Sequence, residues 1–105
     1  MLEQMQFDAA KNLWTCQLIG ELDAVQAPKF VEAAKALLTQ HQGSLLFDCK
    51  QLDFVDSMGL GALVKLRKMV GEAGGTIQMV NMKQRIFKLF VITGLESTFG
   101  IEVEA

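Results

Sequence analysis

Asp53-Phe54-Val55-Asp56-Ser57-Met58-Gly59-Leu60-Gly61 is the stretch that decides the fold. It joins an apolar run to a helical pattern. Asp56 or Ser57 is placed to cap that helix by accepting a bond from a first-turn N–H. Gly59 and Gly61 then fall in the first turns, where each costs about 1 kcal/mol relative to Ala. Two such costs so close together point to tight packing of the helix end, or to a backbone or ligand lying close by.

Downstream, the spacing predicts a helix over 57–73, ended by Gly74-Gly75. At 100° per residue, Leu63, Leu66, Val70 and Ala73 share its core face, and Lys65, Lys68 and Glu72 the opposite one. Met58 and Gly61 project onto the polar side, with Leu60 and Val64 on its flank. The helix is therefore apolar outside at its N-terminal end only. A small apolar patch beside an exposed hydroxyl is a docking surface more often than an active site.

Upstream, Met1 to Phe7 and Leu13 to Ile19 read as two strands of an antiparallel hairpin, the second with Trp14, Cys16 and Leu18 alternating with Thr15 and Gln17. A helix is expected over 27–41, with Pro28 near its start, Phe30, Ala34, Leu37, Leu38 and His41 on one stripe, and Gly43 after its end. Ser44 to Cys49 reads as a strand buried on both faces. Thr76 to Val80 is a further strand. Lys83 to Thr93 is a third helix with Ile86, Leu89 and Phe90 inward, and Thr98 to Val103 a last short strand. The order β-β-α-β-α-β-α-β implies an α/β domain with a mixed sheet of four or five strands, one pair antiparallel, and helices packed on it.

The 105 residues make one domain, 1–105, with no repeat or internal linker. Ten basic residues against twelve acidic ones leave no surplus to neutralise phosphates, so direct nucleic-acid binding is not expected. No apolar run reaches the roughly 18 residues of a membrane span, and the N-terminus lacks a basic-then-apolar leader. Cys16 and Cys49 lie in apolar stretches without CxxC spacing, which fits buried, reduced thiols in a cytoplasmic protein. His41 is the only imidazole and reads as a packed or capping residue, and the six methionines read as core filler. No GxSxG, HExxH, Walker A or GxGxxG pattern occurs, so catalysis, a metal site and a cofactor are all unexpected. A phosphate cradle at the Gly59–Gly61 helix start is a weak alternative: no Lys follows at P-loop spacing, and Asp53 and Asp56 repel a free anion.

Leu18-Ile19-Gly20-Glu21-Leu22-Asp23, Phe47-Asp48-Cys49 and Leu52 through Gly61, followed by Gly74-Gly75 and Lys88-Leu89-Phe90-Val91-Ile92-Thr93-Gly94-Leu95, together resemble the STAS domain family, in the branch of bacterial anti-sigma factor antagonists. The resemblance implies a partner switch. Such a protein binds an anti-sigma factor that is also a serine kinase, and is released when the Ser after the Asp of this block, here Ser57, is phosphorylated. A metal-dependent serine phosphatase reverses the mark. The implied partner surface comprises Asp23, Ala24, Asp56, Met58, Leu60, Gly61 and Val64, with Lys65 at its rim. Met58 stands where many members have a second Ser or Thr, and a further C-terminal helix common in the family is not seen after Leu95. The competing reading is a non-catalytic STAS subunit of a bacterial lipid ABC transporter, where the same surface is a constant contact.

Overall fold

The computed structural model describes residues 1–105. Strands β1 (Leu2–Asp8) and β2 (Leu13–Leu18) form the hairpin, and β3 (Gly20–Leu22) follows at once. Then come α1 (Gln26–Gln40), β4 (Ser44–Asp48), β5 (Leu52–Val55), α2 (Ser57–Glu72), β6 (Ile77–Met82), α3 (Gln84–Ile92) and β7 (Gly100–Val103). The main sheet has five strands in the order β1-β2-β4-β6-β7, with β1 antiparallel to β2 and the rest parallel. This is the expected α/β class and sheet. The three helices begin and end within two residues of the expected bounds.

Two strands were not anticipated. β3 and β5 pair in parallel as a separate ribbon beside the main sheet. The strand that feeds α2 is therefore β5 of this ribbon, not the main-sheet strand β4.

One face of the main sheet carries the core. Trp14, Cys16 and Leu18 of β2, Leu45 and Phe47 of β4, and Ile77 and Met79 of β6 alternate inward as period-two strands require. They meet Phe30, Ala34 and Leu37 of α1, Leu63, Leu66 and Val70 of α2, and Ile86 and Phe90 of α3, all buried. The opposite face of the sheet is more open. Leu46 there is only half-buried, so β4 is not covered on both faces as expected. Ala73 is also exposed: it is the C-cap of α2, past the last inward turn.

Cys16 and Cys49 are free thiols buried in this core. Burial pushes Cys16 up to about 11. Burial first, then the Asp48 charge, pushes Cys49 up to about 12. Both stay protonated at neutral pH and lack the thiolate that reacts. His41 is exposed rather than inward, because α1 ends just before it. It still packs: its ring stacks on Phe7 at 4.3 Å, and its carbonyl accepts the Trp14 indole N–H at 2.8 Å. Of the methionines, Met79 and Met82 are core, whereas Met5 and Met58 are exposed.

Candidate functional site

The β3–β5 ribbon sets the starts of α1 and α2 side by side. Each ribbon strand leads into one of the helices, so parallel pairing brings both helix entrances to the same end. Asp56 fastens them. Its Oδ1 accepts the Gly59 N–H at 2.8 Å, which caps α2. Its Oδ2 accepts the Ala24 N–H at 3.0 Å, which ties α2 to the turn before α1. Asp23 does the equivalent for α1, its Oδ1 accepting the N–H groups of Val25 and Gln26 at 3.1 and 3.0 Å. The carboxylates of both residues are thus engaged by backbone donors in helix entrances, where negative charge is favoured.

With Asp56 as cap, Ser57 becomes the first residue of α2 and its side chain is exposed. The two glycines part company. A Cβ on Gly59 would collide with the Leu22 carbonyl oxygen, so this glycine lets α2 pass against β3. A Cβ on Gly61 would meet nothing within 4 Å. Gly61 is a bare spot on the helix surface, and it lies in an open groove of about 430 Å³ between α1 and α2.

Ala24, Ala27, Pro28, Val31 and Glu32 form the α1 side of this groove, and Ser57, Met58, Gly61, Ala62 and Lys65 the α2 side. Met58 is 59% exposed, and Val64, outside the groove on the flank of α2, is exposed as well. Six of the expected contact residues are therefore accessible or half-buried around Ser57: Asp23, Ala24, Asp56, Met58, Gly61 and Val64, with Lys65 at the rim. Leu60 is the exception. It is 6% exposed, because it turns under the helix into the core, and it is not part of any docking surface. Apart from Ala24, the α1 wall was missed at the level of sequence. Its signal is there in retrospect: the small residues Ala24 and Ala27 stand near Val25, which is 65% exposed two residues after Asp23.

No group of three or more His, Cys, Asp or Glu side chains is arranged to hold a metal. The groove offers one exposed hydroxyl, an apolar floor and a mixed-charge rim, which suits a protein contact.

An α/β domain with a parallel side ribbon, its two helix entrances side by side and an exposed Ser opening one of them, is the class of fold and site defined here. Residues 4–104 match the STAS domain model, and the chain belongs to that family. It is 36% identical over 89 residues to the anti-sigma-B factor antagonist of Bacillus subtilis (strain 168), which covers 84% of this chain and 80% of that protein. It is 32% identical over 83 residues to the anti-sigma-B factor antagonist of Listeria monocytogenes, covering 79% and 73% respectively. The solved structure of the Bacillus cell fate determinant SpoIIAA in its phosphorylated form superposes with a TM-score of 0.69 at 19% identity, covering all of this chain and 91% of that one.

Proposed function

We propose that this protein is an anti-sigma factor antagonist: it binds an anti-sigma factor through the groove beside Ser57 and is released when Ser57 is phosphorylated. The observation that carries the reading is the exposed Ser57 hydroxyl as first residue of α2, in the same groove as Met58 and the uncovered Gly61. The names of the Bacillus and Listeria relatives support the partner class, and the phosphorylated form of the SpoIIAA fold supports the mark. The partner is an anti-sigma factor with serine-kinase activity, and a serine phosphatase restores the binding form. The chain acts in the cytoplasm by binding, without catalysis of its own.

The switch is electrostatic. Phosphate adds about −1.5 to −2 charge beside Asp56 and close to the turn that Asp23 caps. Bringing that cluster against a partner and removing its water costs several kcal/mol. About 3 kcal/mol is over a hundredfold in affinity.

Calorimetry against the cognate kinase tests this, with mass spectrometry to locate the phosphate. Ser57→Ala binds like the unmodified protein and is not labelled. Ser57→Asp binds more weakly, though less so than the phosphorylated protein. Gly61→Arg abolishes binding with little change in melting temperature, since that position faces open space. Tight binding by Ser57→Asp together with no label on Ser57 would overturn the switch and favour the constant contact of a transporter subunit.

A further inference from the structure

A second surface lies on the other side of β5, away from the Ser57 groove. Phe54 of β5 and Val91 and Ile92 of α3 are 46%, 47% and 81% exposed, three of the seven large apolar side chains left uncovered. Phe54 and Ile92 line an apolar groove of about 330 Å³ together with Val55, Ile86 and Leu89. Arg85 and Lys88 stand at its edge. From Lys83 to Leu95 the chain carries three bases and no acid, although the whole protein has a net charge of −2. Asp53, beside Phe54, is held by Lys83 at 3.2 Å. None of these residues lines the groove beside Ser57.

We propose that this α3–β5 face docks an acidic amphipathic helix of a partner protein. Charge complementarity sets the sign: an apolar groove lined by Arg85 and Lys88 and by no acid selects apolar anchors flanked by carboxylates. The backbone sets the form. The carbonyl oxygens of Leu52 and Asp53 already accept from Lys83 and Arg85, so this stretch of β5 is not free to extend a ladder and the occupant engages side chains. The face is concave, which fits inserted side chains better than a flat lipid surface. Its separation from Ser57 leaves it usable in both phosphorylation states.

The probe is a synthetic amphipathic peptide of about 15 residues, long enough to hold a helix, with Leu at i, i+3, i+4 and i+7 and Glu at most other positions. Its control carries Lys for Glu. In a nuclear magnetic resonance titration of the full chain, the acidic peptide should give saturable shifts at Phe54, Arg85, Lys88, Leu89 and Ile92, and the basic peptide none. Ile92→Ser and Lys88→Glu should each weaken binding at least about fivefold, the loss of a central contact. Both positions are exposed, so melting temperatures should not move. The proposal is overturned by absent saturation, by shifts centred on Ser57, or by equal affinity in the variants. It is equally overturned if this face instead binds phosphatidylglycerol vesicles, or self-associates as concentration rises.

Discussion

Gly59 and Gly61 look alike in the sequence and do opposite things. Gly59 is a packing glycine whose missing Cβ admits the Leu22 carbonyl, while Gly61 faces open space. Gly59→Ala forces backbone against backbone and should cost about 1–3 kcal/mol, the usual range for overpacking. Gly61→Ala should gain about 0.5–1 kcal/mol, since Ala has less freedom to lose in a helix. Urea melts of the two variants check the pair. Equal effects would mean that α2 does not cross β3 as closely as the geometry says. The contrast fits the docking role proposed for Gly61, because stability alone would favour Ala there.

The next scale is the element, where two helix entrances share one carboxylate. Asp56→Ala removes the cap of α2 and the tie to Ala24, and should cost about 1–2 kcal/mol, the upper part of the range for losing an N-cap. Asp56→Asn keeps an oxygen for the Gly59 N–H and gives up only the second acceptor. Its loss in thermal or urea melts should be less than half that of Ala. Equal losses would assign the stability to the carboxylate's charge rather than to its geometry. The same region shows what was legible beforehand. Strands β2 and β4 announce themselves by alternation or apolar run, and the helices by spacing and glycine stops. The ribbon does not: β3 has three residues and β5 four, too few for a period to register. Missing it hid the α1 wall of the groove beyond Ala24. It did not hide Ser57, Met58 or Gly61, because those follow from helical spacing alone. Leu60 was misplaced because a flank position one residue from the outer stripe turns inward once β3 and β5 pack beneath the first turn.

At the scale of the whole molecule, phosphorylation should change the surface and leave the fold in place. Ser57 is exposed at the start of α2, and its hydroxyl makes no hydrogen bond in the structure. Added negative charge at the first residue of α2 gains from the helix dipole, typically about 0.3–1 kcal/mol. It loses a comparable amount to the neighbouring Asp56, and the two nearly cancel in water. The phosphorylated protein should therefore melt within about 4–8 °C of the unmodified one, the shift that about 1 kcal/mol produces in a domain of this size. Far-ultraviolet circular dichroism should be unchanged, and resonance shifts should cluster at 23–26 and 56–61, around the shared entrance of α1 and α2. Calorimetry against the partner should meanwhile record the large affinity loss. A melting drop well beyond this range, or shifts spread through β4 and β6, would show that the mark acts by loosening the domain. The groove would then be a consequence of folding rather than the place where the signal is read.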